Sequence, residues 1–386
     1  MKSRPATADI IPLFQARFPG EPRVFRAPGR VNIIGEHTDN YDGYVFPIAV
    51  DMATTTAAAP RRDRTIRIWS ENMQELTILS LDDLERRDHW SDYVAGVAAM
   101  LGADGITLPG ADMCIVSDVP IGGGLSSSAA LEVSTALAFL SLVDHSLDGV
   151  SLAKLGRRAE NEFVGMNCGI MDQFVAVHAE RGKGLLLDCR TLDYELVPLP
   201  ADEAAIVVCN TMVKHELGAS EYNARRADTL AGTDLLKAIY ADIRALRDVS
   251  SGMFEKSSHQ LPEHIRRRCR HVITENQRVL DGMAALKERR LEAFGSLMNA
   301  SHESLRTDYE VSCEELDIMV EIARNLPGLL GARMTGGGFG GCTVNLVRPD
   351  RMSAFREEIA RCYHQATGLK PDVYVTEPMD GAREIT

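Results

Sequence analysis

The chain has 386 residues, 45% hydrophobic and 25% charged, ordinary values for a globular protein long enough for two domains with a ligand cleft between them. Its formal net charge of -13 argues against nucleic acid or an anionic membrane surface as the main partner, so a polyphosphate would need local amides, a few cations and a metal ion. Eight cysteines without a Cys-x-x-Cys pair suggest neither a zinc site nor a disulfide framework, and no apolar run approaches the roughly 18 residues of a membrane span. The expectation is a soluble cytoplasmic protein with reduced thiols and no export signal.

In chain order, Thr7 to Arg17 reads as a short amphipathic helix and Arg23 to Ala27 as a strand leading into Pro28-Gly29. Residues 29–43 then place Arg30, Glu36, His37 and Asp39 around the apolar insert Val31-Asn32-Ile33-Ile34. Charges that close to a core are costly unless partnered or used, so the stretch reads as a ligand-binding loop. A surface loop laced with salt bridges would carry the same residue types. Strand-like runs follow at Tyr44 to Val50, Thr54 to Ala59, Thr65 to Ser70 and Leu76 to Leu79, suggesting an antiparallel sheet that Met113 to Val116 would join.

Gly122-Gly123-Gly124-Leu125-Ser126-Ser127-Ser128 separates that last strand from a helix-forming segment, Ala129 to Val143. Glycines let backbone approach a ligand closely, and the first amides of a helix have no internal partner, so strand, Gly/Ser loop and helix together form a candidate phosphate cradle. Neither the Walker spacing nor Gly-x-Gly-x-x-Gly is present. The plainer alternative is a Gly/Ser turn before a Ser-capped core helix.

Ser151 to Val164 reads as an amphipathic helix carrying Glu160 and Glu162, after which Asp172 lies in an apolar frame of Ile170, Met171, Phe174 and Val175. An Asp there could satisfy backbone donors in a helical first turn, or be the desolvated carboxylate of a general base or charge stabiliser. Lys183 to Arg190 and Ala204 to Thr211 read as strands, with Pro198 to Asp202 as the domain junction. From Glu221 to Ala323 the pattern is helical, and Arg266-Arg267-Arg268 reads as solvated surface. Ala332 to Val347 sets five glycines and Phe339 between two strands, a density that favours close backbone approach to a ligand. A helix at about Arg351 to Gln365 and a strand at Asp372 to Thr376 complete an α+β second half.

Three stretches in this order, GRVNIIGEHTD (29–39), PIGGGLSSSAALE (120–132) and RMTGGGFGGCTV (333–344), resemble the GHMP kinase superfamily and, within it, the galactokinase family. CGIMDQF (168–174), SEYNARR (220–226) and SLRTDYEVS (304–312) extend the resemblance, which runs from about residue 20 to the C-terminus. It implies a two-domain α+β fold with the active site between the lobes. Residues 1–198 would form an N-terminal mixed sheet with helices, like ribosomal protein S5 domain 2, and residues 199–386 a ferredoxin-like α/β sandwich.

The reaction implied is ATP-dependent phosphorylation of the anomeric hydroxyl of D-galactose, with Arg30 and Asp172 on the catalytic pair. Glu36, His37, Asp39, Gly169, Asp172 and Tyr222 match the family's sugar contacts, Gly122 to Ser128 its ATP loop, and Ser128 and Glu160 its Mg²⁺ ligands. The expected partners are galactose and ATP, with no nucleic acid or membrane, and the expected state is a monomer. Asp39-Asn40-Tyr41-Asp42 exchanges the Tyr and Asn of the usual family order, a departure beside the sugar contacts that leaves the reaction type alone. Galacturonate and N-acetylgalactosamine kinases remain alternatives, as does a non-catalytic sugar sensor, although Ser128-Ala129, which such sensors lack, are in place.

Overall fold

The structure, a computed structural model, describes residues 10–214 and 218–385. The first half of the chain runs through α1 (Ile10–Gln15), β1 (Arg23–Ile34), β2 (Tyr44–Arg61), β3 (Thr65–Ser70), β4 (Glu75–Ser80), α2 (Asp92–Ala103), β5 (Gly110–Ser117) and α3 (Ser127–Leu142). It continues with α4 (Gly149–Arg158), α5 (Met171–His178), β6 (Lys183–Asp188) and β7 (Tyr194–Pro198). After the junction come β8 (Ala205–Lys214), α6 (Gly218–Ile239), α7 (Ser251–Ser257), α8 (Glu263–Lys287) and α9 (Leu291–Ser304). The chain ends with α10 (Glu314–Arg324), β9 (Leu329–Thr335), β10 (Gly340–Val347), α11 (Met352–Thr367), β11 (Asp372–Thr376) and β12 (Arg383–Glu384).

The first sheet has the order β12-β1-β2-β5-β3-β4, with β6 and β7 added at the start of β2. It is mixed rather than wholly antiparallel, because β3 pairs β5 in parallel. The two runs expected over 44–50 and 54–59 are one strand, β2. At the expected break the Asp51 carbonyl accepts from Arg26 and its amide donates to Thr376, so the chain bends without losing its partners. β1 likewise continues past Ala27 to Ile34, with register shifts at Pro28/Arg30 and Asn32/Ile34. Burial of Val31, Ile33 and Ile34 draws this stretch into the sheet, and the stretch expected to be loop is a strand followed by a short turn. The expected N-terminal helix is present from Ile10, and residues 7–9 lie outside the described residues.

The second sheet has the order β11-β8-β10-β9, every pair antiparallel, which is the 4-1-3-2 order of a ferredoxin-like sandwich. Period-two alternation sends Val207 and Cys209 of β8 against α10 and α11, while Ile206 and Val208 face α8 and α9. That second face shares one apolar cluster with Val31, Ile33, Phe46 and Ile48 of the first sheet, so the two sheets meet across a common core. α3 is buried along most of its length, its Ser134 hydroxyl 3.0 Å from that of Thr56 on β2, and its N-terminus opens where the lobes meet.

Arg268 corrects the reading of 266–268 as surface. It is 3% exposed, donating to the Asp308 carbonyl and pairing with Glu310, because its place in α8 turns inward against the turn after α9. All eight cysteines are free thiols, and no helix among the described residues is long and apolar enough to cross a membrane.

Candidate active site

The Gly/Ser loop reaches α3 through left-handed backbone at Gly122 (φ 72°), Gly124 (φ 76°) and Ser126 (φ 59°). Ser126 occupies the N-cap position but provides no side-chain cap, because its hydroxyl donates to the Asp172 carboxylate instead. The first amides of α3 therefore have no side-chain partner, and with the positive end of the helix dipole they favour an anion. Gly122, Gly124, Ser126, Ser127 and Ser128 line a cavity of about 490 Å³, whereas Gly123 and Leu125 are buried away from it. Leu125 acts through its carbonyl, which accepts the Arg30 amide at 3.0 Å.

Arg30 on β1 and Asp172 in the first turn of α5, 142 positions apart, form a bidentate pair with both N–H···O distances at 2.7 Å. The third arm of the guanidinium donates to the Gly124 carbonyl at 2.7 Å, tying the pair to the Gly/Ser loop. Asp172 Oδ2 is doubly used, by Arg30 and Ser126, while Oδ1 accepts only from Arg30 and keeps a lone pair.

Beside this pair a second cavity, of about 300 Å³, is lined by Glu36, His37, Asp39, Gly169 and Tyr222. His37 has left-handed backbone (φ 61°) and stacks 4.7 Å from Tyr309. Burial lowers its titration well below the usual range, and its Nε2 has no partner among the described residues, so a neutral imidazole faces the cavity. Burial, then the charges of Asp172 and Glu36, push Asp39 up to about 6. Gly169 is required beside it, since a Cβ there would lie 1.8 Å from Asp39 Oδ2.

The expected metal ligands lie together. Ser128 and Glu160 both line the larger cavity, and Glu160 occupies a π-helical turn (Ala159–Val164) where a continuous helix was expected. The Gln173 amide donates to both Glu160 (2.8 Å) and the fully buried Glu132 (2.9 Å). Burial raises both carboxyls, and each neighbouring negative charge adds to the effect. Among the described residues no group of three or more His, Cys, Asp or Glu could hold a metal alone. One hydroxyl and one carboxylate, backed by uncompensated acid, fit a hard cation that takes its remaining ligands from phosphate and water.

Several residues that build the site are absent from the sequence-based set. Trp90, Tyr93, Ile115, Ile121 and Leu131 form the apolar wall of the larger cavity, suited to a flat aromatic group. The turn after β1, residues 35–38, is held from behind by Arg333, which pairs with Glu36 at 2.7 Å, and by Glu275, which accepts the amides of Gly35 (2.9 Å) and Glu36 (3.3 Å). Burial would raise Glu275, but Arg278, His271 and Arg333 outweigh it and hold the carboxyl at about 2. The aromatic run at 90–93 and the unpaired Arg of the third Gly-rich stretch were the available signals; Glu275 had none.

Family models match in three places: the galactokinase galactose-binding signature at residues 12–60, the GHMP kinases N-terminal domain at 92–180 and the GHMP kinases C-terminal domain at 283–365. A galactokinase of Roseiflexus sp. (strain RS-1) is 48% identical over 381 residues, 98% of this chain and 97% of that protein. The chain belongs to the galactokinase family. Another galactokinase, from Chloroflexus aurantiacus, is 49% identical over 90% of each chain. The crystal structure of Lactococcus lactis galactokinase complexed with galactose superposes with a TM-score of 0.95 at 36% identity, covering 98% of this chain and 99% of that one. Methanococcus jannaschii mevalonate kinase shares the fold, with a TM-score of 0.67 at 19% identity. The galactokinase signature contains Arg30 to Asp39 and the N-terminal domain match contains the Gly/Ser loop, Glu160 and Asp172, whereas Tyr222 lies outside all three matched segments.

Proposed function

We infer that the protein transfers the γ-phosphoryl group of ATP to the anomeric hydroxyl of D-galactose, giving α-D-galactose 1-phosphate and ADP. The observation that carries this reading is the Arg30–Asp172 pair in the wall shared by two cavities, one built for hydroxyls and one for an anion next to a flat apolar group. The Lactococcus relative complexed with galactose supports the choice of sugar.

In this reading Glu36, His37, Asp39, Tyr222 and the Gly169 backbone orient the sugar. Hydroxyls can donate to the carboxylates and share a hydrogen bond with the unpartnered Nε2 of neutral His37. Asp172 Oδ1 accepts a hydrogen bond from the anomeric hydroxyl and takes up its proton as the O1–phosphorus bond forms and the bond to the ADP oxygen breaks. Arg30 and the amides at the start of α3 offset the charge of the transferring group, the term from which phosphoryl-transfer enzymes gain most of their rate. Ser128 and Glu160 would hold Mg²⁺, which when bound neutralises phosphate charge. Gly122, Gly124 and Ser126 to Ser128 enclose the phosphates, and the two lobes, residues 1–198 joined by the returning strand β12 and the rest of 199–386, both contribute to the cleft. We further propose that the protein works as a monomer in the cytoplasm on these two small substrates.

An acidic sugar is disfavoured because Arg30, already paired to Asp172, is the one Lys or Arg among the described residues lining the smaller cavity. The test is ADP release with ATP and Mg²⁺ on galactose, galacturonate, N-acetylgalactosamine and glucose in parallel. Strong preference for galactose is expected. Preference for another sugar would move the specificity, and no turnover in protein that binds ATP would overturn the enzymatic reading.

A further inference from the structure

The exchanged pair Asn40-Tyr41 occupies a 3₁₀ turn, Asp39–Tyr41, at the mouth of the smaller cavity. The two side chains separate. Tyr41 is 3% exposed in an apolar cluster with Tyr309 and Leu305, its hydroxyl 3.3 Å from that of Tyr309. Asn40 turns toward the cavity wall, where its Nδ2 donates to the Tyr222 phenol oxygen at 2.8 Å and lies 3.4 Å from Asp39 Oδ1.

The neighbours determine which end of the amide faces Tyr222. An ionised carboxylate only accepts, so the amide edge shared between Asp39 and Tyr222 has to be the nitrogen. A phenol has one hydrogen to give and lone pairs to receive. With its oxygen receiving the Asn40 N–H, the Tyr222 hydrogen must find its acceptor elsewhere. The phenol lines the cavity, its ring 5.5 Å from His37.

We propose that Asn40 is a positioning residue that fixes Tyr222 as a hydrogen-bond donor toward a sugar oxygen, by occupying the acceptor side of the phenol. An amide at position 40 thus sets the donor and acceptor pattern that the cavity presents, although Asn40 is not among the residues lining it. The inference rests on the sugar-site reading above.

The experiment is a double-mutant cycle in steady-state kinetics with galactose and ATP. Asn40→Leu, near in size and without a donor, is expected to raise KM for galactose about fivefold or more, the scale of one hydrogen bond. Its kcat and its KM for ATP should stay within about twofold. In a Tyr222→Phe background, which has no phenol to orient, the same substitution should change KM for galactose by less than about twofold. An equal rise in both backgrounds, or no rise in the parent, overturns the proposal. Should Asn40→Leu fail to fold, Asn40→Ala goes through the same cycle. If the parent protein does not phosphorylate galactose, the sugar-site reading falls and this inference with it; turnover without coupling removes the inference alone.

Discussion

Arg30 and Asp172 each lose their main partner when the other is removed, and both touch the wall where the two cavities meet. Arg30→Ala and Asp172→Ala are each expected to lower kcat by about 10²- to 10⁴-fold in the ADP-release assay. Circular dichroism should show the fold retained, because the pair lies at a cleft and not within an apolar cluster. Gly169→Ala acts through space alone. A Cβ 1.8 Å from Asp39 Oδ2 must displace that carboxylate, and KM for galactose should rise about 10- to 100-fold. Asp39 also gives a pH signature. In the proposed reading its carboxyl, raised from 3.8 to about 6 by burial and by Asp172 and Glu36, binds sugar hydroxyls more strongly as the ionised acceptor. Galactose and the proton then compete, so KM for galactose should rise as pH falls through about 6, by up to about tenfold per unit, and be flat above it. Asp39→Asn should remove that inflection. The folded state holds this proton more tightly than the unfolded chain does, so ionising Asp39 costs stability as pH rises from 3.8 through about 6.

At the scale of elements, α8 connects the helical part of the chain to the turn after β1 (residues 35–38). Glu275 is fully buried and accepts two loop amides and the Ser301 hydroxyl while pairing with Arg278 at 2.6 Å. Glu275→Ala would leave those buried donors and the half-buried Arg278 guanidinium without their acceptor, a loss of about 3 kcal/mol. Thermal unfolding should register it as a clear fall in Tm, and where the variant remains folded KM for galactose should rise, since Gly35 and Glu36 lose their anchor. From sequence residues 221–323 read as helical with Arg266-Arg267-Arg268 as solvated surface, and α8 is helical as expected. The inward turn of Arg268 and the role of Glu275 were not legible, because periodicity reports which face is apolar and cannot report which buried acid meets which distant amide.

For the whole molecule, one apolar cluster joins residues of β1 and β2 to residues of β8, β10, α8 and α9. Phe294, fully buried in that cluster and in edge contact with Phe46 of the first sheet, is a direct link between the lobes. Phe294→Ala should cost about 3–5 kcal/mol and shift a single calorimetric transition downward. Two separate transitions in the parent protein would show that the lobes unfold independently and that the shared core does not couple them.

Local pattern was enough to single out the three candidate ligand-facing stretches. The Gly/Ser loop before α3, the Arg30 to Asp39 run and the third Gly-rich stretch each carry their signal within some ten consecutive residues, through glycine's backbone freedom and the cost of setting charge beside apolar side chains. How those stretches are held emerges from contacts distant in the chain. Arg333 reaches Glu36 across 297 positions, Asn40 reaches Tyr222 across 182, and β12 returns from the end of the chain to pair with β1. Such contacts depend on the relative placement of two sheets around a shared core, a quantity to which no local pattern is sensitive, whereas a helix start or a tight turn depends on neighbours that are already adjacent in the chain.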